Sequence, residues 1–121
     1  MDMYRDIILD HFKHPHNFGE IAHATNSARM HNTTCGDNIR MDLVVSDDNI
    51  IKQVKFSGVG CAISVASASM LTDHVLGMTV EDVRNLTSSD LYTLVMTPLT
   101  PPRVKCALLP LEVLQKAVSG K

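Results

Sequence analysis

The chain has no tryptophan, and its two tyrosines and three phenylalanines make aromatics only 4% of 121 residues. A core of any size must therefore be aliphatic, with the seven methionines as gap-fillers. Nor is there an apolar run near the roughly 20 residues that cross a bilayer, and charges fill "MDMYRDIILDHF" where a signal peptide would be apolar. A membrane role is excluded on this reading, and a cytoplasmic location is expected. Eleven Lys and Arg against 13 Asp and Glu leave a net charge of −2, with no excess of positive charge to draw in nucleic acid. Three cysteines are too few, and odd in number, for a closed disulfide framework, so free thiols are expected. No repeat, linker or low-complexity segment divides the chain, and one domain over residues 1–121 is expected.

What is present is 45% hydrophobic and 20% charged residues in patterns that alternate between two periods. Residues 3–14 set Tyr4, Ile7, Ile8 and Phe12 at helical spacing, and Pro15 closes that helix. A turn, an edge strand around Ala24–Met30 and a polar loop come next. Residues 39–45 and 50–59 alternate apolar with polar side chains about the turn Ser46-Asp47-Asp48-Asn49, which predicts an antiparallel pair. From Cys61 to Gly77 small and apolar residues return to helical spacing. Thr79, with Asp82 three residues on, predicts a capped short helix; Ser88 or Ser89 predicts another, ended by Pro98, Pro101 and Pro102. A last helix is expected over Leu109–Val118, with Pro110 in its first turn and Cys106 just before it. The fold class is α+β: a small antiparallel three-stranded sheet packed with several helices.

The thiols carry the chemistry. Cys35 sits in the polar loop "TTCGDN", where Gly36 permits a turn that brings Cys35 and Asp37 to one centre. Cys61 follows Gly58-Val59-Gly60 at a helix start, where unpaired N–H groups favour a thiolate. Cys106 follows Arg103 and Lys105 in "PPRVKCALLP", a second electropositive setting. Spacings of this kind match no zinc-finger knuckle, so three candidate ligands and one carboxylate are what the residues alone provide. His11, His14 and His16 are read as surface or partner contacts rather than ligands, and His31 and His74 as structural or exposed.

Cys35-Gly36-Asp37, Gly60-Cys61-Ala62-Ile63-Ser64 and Arg103-Val104-Lys105-Cys106, in this order, resemble the U-type iron–sulfur cluster assembly proteins, the family of IscU, SufU and the NifU N-terminal domain. "HFKHPHNFG" is similar to that family's His-x-x-x-Pro-x-Asn-x-Gly segment. The resemblance implies a cysteine and aspartate site at one exposed end of the domain. Cys35, Asp37, Cys61 and Cys106 would hold zinc, iron or a transient 2Fe–2S cluster. A PLP-dependent cysteine desulfurase would supply sulfur, with Cys35 as its acceptor and Arg103 and Lys105 as electrostatic support. Recipients would be apo iron–sulfur proteins or carriers. Lys105 stands where the IscU branch has a histidine, and the stretch from Cys61 to Cys106 is too short for the usual SufU insertion.

The expected function is accordingly a cluster scaffold and sulfur carrier rather than a turnover enzyme. Its rivals are a zinc-dependent sulfurtransferase that builds no cluster and, from another class, a small binding domain with a structural zinc.

Overall fold

The computed structural model describes residues 3–32, 36–95 and 101–119, with side chains from residue 5 and, in the last segment, from 104. Its elements are α1 (Met3–Lys13), β1 (Asn26–Asn32), β2 (Asp37–Val45), β3 (Ile51–Val59), α2 (Ala62–Val75), α3 (Val80–Arg84), α4 (Ser88–Val95) and α5 (Pro101–Ser119). The strands form an antiparallel meander in the order β1-β2-β3, with Asn32 opposite Asp37 and Asn38 opposite Val59. That register places the start of β2 and the end of β3 at the same end of the sheet.

Alternation along β2 explains its layering: Ile39, Met41 and Leu43 are fully buried, and α5 packs on β1 and β2 while α2 packs on β3. α2 is buried on almost every side, because its small residues allow α1, α4 and α5 to approach it. Its buried hydroxyls at Ser67 and Thr72 are bonded: Ser67 Oγ donates to the Ala107 carbonyl at 2.8 Å, and Thr72 Oγ1 to the Ala68 carbonyl at 2.8 Å. On α1 the sequence stripe is only partly used, since Ile8 is buried but Ile7 and Phe12 are exposed.

The His-x-x-x-Pro-x-Asn-x-Gly segment clamps the N-terminal chain to the rest. Asn17 accepts the Phe56 N–H at 2.9 Å and Gly19 donates to the Phe56 carbonyl at 2.8 Å, covering the outer edge of β3. The Asn17 side chain donates to Thr72 Oγ1 and to Asp73, both at 2.9 Å. His16 pairs with Asp73 at 2.5 Å, and His11 Nδ1 lies 2.7 Å from Ser69 Oγ. Because Ser69 Oγ already accepts the His16 N–H at 2.8 Å, its own proton is available to His11. Of the histidines read as surface or partner contacts, His14 and His16 are exposed, His16 also being tied to α2, whereas His11 is partly buried against α2.

Two other expectations are corrected. Pro101 and Pro102 open α5 rather than only ending the helix before it, because the first turn of a helix has no N–H to lose there. α5 therefore starts eight residues ahead of Leu109, Cys106 lies within it, and Pro110 is inside the helix. The cap of α4 is Thr87 rather than Ser88 or Ser89: Thr87 Oγ1 accepts the Asp90 N–H at 3.3 Å while Asp90 accepts the Thr87 N–H at 2.8 Å. Thr79 caps α3 as expected, accepting the Asp82 N–H at 3.1 Å.

The clamp makes stability depend on pH. Burial, and then the neighbouring His16, lower the His11 pKa below the ordinary 6.5. Burial of Asp73 is outweighed by its bonds from His16 and Asn17, which bring its pKa below the usual 3.8. For both groups the unfolded chain takes up protons first as pH falls. The His11 contribution is therefore complete above about 6.5 and is lost as pH drops through its lower folded value; the Asp73 contribution is lost in the same way below about 3.8. In metal-free protein the urea midpoint should decline between pH 7.5 and 5.5, and His11→Gln should flatten that decline. An unaltered pH slope in the variant would show that His11 is not a source of it.

Candidate functional site

Three segments far apart in sequence meet at one end of the sheet: the start of β2, the start of α2 and the second turn of α5. Among the described residues, one group of three His, Cys, Asp or Glu side chains converges closely enough to hold a metal ion. It is Asp37, Cys61 and Cys106, whose ligand atoms all lie within 4.8 Å of one another.

Each ligand atom is placed by backbone structure. Asp37 is the first residue of β2, 2% exposed, on the inward side of the strand. Its Oδ1 accepts the Cys61 N–H at 2.9 Å, so the carboxylate supplies an acceptor to the entrance of α2 from outside the helix. Gly36 before it adopts φ +74, the left-handed conformation expected of that turn. Cys61 is the N-cap of α2, in extended conformation, and makes no side-chain cap bond of its own. Its sulfur lies 3.7 Å from Asp37 Oδ2.

Cys106 is 5% exposed and faces the core rather than an electropositive loop, which corrects the expectation of an open setting. Pro110 has no N–H to offer the Cys106 carbonyl four residues earlier, so this cysteine sits where the helical ladder is interrupted.

The donor set suits a soft or borderline metal. Two sulfurs and one oxygen are three of the four ligands of a tetrahedral zinc or cluster iron. With Zn–S about 2.3 Å and Zn–O about 2.1 Å, ligands across a tetrahedron stand about 3.6 Å apart. The 3.7 Å between Asp37 Oδ2 and Cys61 Sγ matches that separation without any rearrangement. Cys35 and the side chain of Arg103 lie outside the described residues.

Lys105 is exposed. It lines a groove of about 350 Å³ between β1 and α5 with Met30, His31, Leu108 and Glu112. A larger groove, about 660 Å³, lies at the opposite end of the sheet against the β2–β3 turn, lined by Asp47, Asp48, Glu81 and Arg84, and takes no part in the cysteine site.

Sequence reasoning missed two features. Val59, two residues before Cys61, is 72% exposed, and its place in an alternating strand gave no warning of that. Ser64 is fully buried with its hydroxyl 3.7 Å from Cys61 Sγ; the three-residue offset from Cys61 at a helix start was the available signal. Asn38 Oδ1, beside the site, is buried without a donor among the described residues, and nothing in the structure accounts for it.

Asp37 thus has a structural duty apart from any metal. In metal-free protein, Asp37→Ala should cost about 1–3 kcal/mol, because the Cys61 N–H loses its acceptor, and Asp37→Asn, which keeps a carbonyl oxygen, should recover most of it. Equal urea midpoints for wild type and Asp37→Ala would contradict this.

Residues 3–120 match the family model described as the NifU-like N-terminal domain. The chain is 34% identical to the zinc-dependent sulfurtransferase SufU of Bacillus subtilis, with 97% of this chain and 90% of that protein covered. It is also 34% identical to the iron–sulfur cluster assembly scaffold protein IscU of Aquifex aeolicus, over 95% of this chain and 73% of that one. The alignment to SufU runs to 134 residues against a chain of 121, so that relative carries residues this chain lacks.

The crystal structure of FiSufU from Fervidobacterium islandicum superposes with a TM-score of 0.77 at 28% identity, covering 93% of this chain and 94% of that one. A NifU-like N-terminal protein from Brucella abortus shares the fold at TM-score 0.77 and 17% identity, over 97% of this chain and 92% of that one. With its motifs, its sheet and its cysteine–aspartate cluster in one place, this chain belongs to the NifU-like N-terminal domain family, whose members include SufU and IscU proteins.

Proposed function

We propose that this protein is a sulfur acceptor and iron–sulfur cluster scaffold, which takes sulfur from a PLP-dependent cysteine desulfurase and holds zinc or iron at Asp37, Cys61, Cys106 and Cys35. The observation that carries the reading is the convergence of Asp37, Cys61 and Cys106 within 4.8 Å. Cys35 enters as fourth ligand and sulfur acceptor from its place in the sequence, two residues before Asp37.

The transfer step needs only thiol chemistry. A thiolate of this chain attacks the outer sulfur of the desulfurase persulfide, the S–S bond breaks, and the desulfurase cysteine leaves as a thiolate. The chain then carries the persulfide. A bound metal supplies a Lewis acid that keeps the ligand sulfurs deprotonated. The chain's own contribution is to hold two ligands in its interior, on β2 and α5, while Cys61 is half-buried and nearer to solvent. Lys105 and Arg103 would support an anionic sulfur or help dock the desulfurase, Lys105 from the rim of the groove between β1 and α5. Iron, where it enters, is cargo, and a 2Fe–2S cluster would be the product handed to recipient apo-proteins or carriers.

A second reading, zinc-dependent sulfurtransfer without cluster assembly, is supported by the 34% identity to a relative that is a zinc-dependent sulfurtransferase, and the 3.7 Å oxygen–sulfur separation is compatible with it. It shares the desulfurase step and differs in the fate of the sulfur, which is passed on without being built into a cluster on this chain.

Protein purified without oxygen should bind about one zinc or iron per chain, and Cys61→Ser and Cys106→Ser should each lower that content severely while remaining folded. Brief reaction with desulfurase and free cysteine, followed by peptide mass spectrometry, should place persulfide first on Cys35. Iron and sulfide should then give a coloured cluster if the chain is a scaffold; retained zinc with desulfurase stimulation and no colour selects the second reading. Full metal content in both serine variants would refute the shared site.

A further inference from the structure

Among the described residues, the Cys61 sulfur has two side-chain oxygen partners, Asp37 Oδ2 and Ser64 Oγ, each 3.7 Å away. A carboxylate only accepts. Once a metal has displaced the thiol proton to solvent, the hydroxyl is therefore the one of the two that can still bond to the sulfur. Ser64 occupies the first turn of α2, where its side chain is fully buried and donates to the Cys61 carbonyl at 3.1 Å.

That carbonyl does not depend on Ser64, because it also accepts the Val65 N–H at 3.0 Å. The serine proton can be withdrawn without leaving a buried carbonyl unpaired. Rotation about the Cβ–Oγ bond redirects it toward sulfur with no heavy atom displaced. Residue 60 provides the room: a Cβ on Gly60 would lie 2.2 Å from Ser64 Oγ, closer than atoms can approach.

We propose that Ser64 is a positioning residue of the metal site, whose hydroxyl turns from the Cys61 carbonyl to the Cys61 sulfur when a metal is bound and holds that sulfur through an O–H···S bond. The inference rests on the reading of Asp37, Cys61 and Cys106 as metal ligands. Groups that bond to ligands in this way orient them and tune their hold on the metal, and removing one commonly costs about 10–100-fold in affinity.

Ser67 provides the comparison. It is equally buried on the same helix, but its hydroxyl is engaged with the Ala107 carbonyl at 2.8 Å. A merely structural role for buried serines on α2 would make the two positions behave alike.

The test uses cobalt(II) as a spectroscopic substitute for zinc, bound to the full chain without oxygen, with affinity measured by chelator competition. Ser64→Ala should bind cobalt about tenfold or more weakly. Its sulfur-to-cobalt charge-transfer band should move to longer wavelength, because a sulfur without its hydrogen bond holds its lone pair less tightly. Gly60→Ala, which keeps the hydroxyl but displaces it, should shift the band in the same direction. Ser67→Ala should leave band and affinity at wild-type values. Wild-type spectra and affinity in both Ser64→Ala and Gly60→Ala, or an equal change in Ser67→Ala, would overturn the assignment of Ser64 alone. Failure of the wild-type chain to bind cobalt would overturn the site itself, and this inference with it.

Discussion

One hydrogen bond, from the Cys61 N–H to the buried carboxylate of Asp37, joins the first residue of β2 to the entrance of α2. Burying a carboxylate is costly unless its charge is answered. Here the answer is partly the N–H itself and partly the positive end of the α2 dipole. One oxygen is engaged by the fold and the other faces the Cys61 sulfur. The candidate site is thereby formed as the sheet and α2 come together, and a cation would complete the neutralisation that the helix begins.

Asp37 serves both the fold and the site, and the other main sources of stability lie away from it. Leu43 and Ile51, both fully buried, lie toward the end of the sheet away from Asp37, and the N-terminal clamp onto Ser69, Thr72 and Asp73 holds α2 along its later turns. The working end has a different character. Asp37 and Cys106 are sunk into the protein, Cys61 is half-buried, and beyond it Val59 is 72% exposed. Arg29 and His31 are exposed on the neighbouring strand. Two ligands are thus screened from competitors while the third stands near a surface that a partner can reach.

The hairpin of β2 and β3 was legible because period-two alternation in an aliphatic sheet buried on one side has no competing reading. The Thr79 cap was legible because helix termini use a small set of side-chain answers to unpaired N–H groups, and the start of α2 because helical spacing sets in directly after Gly60. The extent of α5 was not, since prolines at 101 and 102 read as the end of the helix before it and Pro110 as a first-turn residue. The first two occupy a turn that needs no donors, and the third is tolerated inside a buried helix, where packing outweighs the lost bond. The cysteines and Asp37 were identifiable as chemistry, and their meeting was expected only from the family resemblance, which the clustering of Asp37, Cys61 and Cys106 bears out. The Asp37–Cys61 contact spans strand pairing and a helix entrance, and no spacing rule encodes it. His11 was misjudged for a related reason: a polar residue on a short N-terminal helix looks solvated until α2 supplies its partner.

The central claim is that Asp37, Cys61 and Cys106 hold one metal ion together. X-ray absorption at the zinc edge, on protein loaded with a single equivalent, examines it without reference to any partner or activity. The expected result is two or three sulfur scatterers at about 2.3 Å and one oxygen at about 2.0–2.2 Å, with one sulfur lost in Cys106→Ser. A shell made only of oxygen and nitrogen, or a sulfur count unchanged by Cys106→Ser, would contradict it.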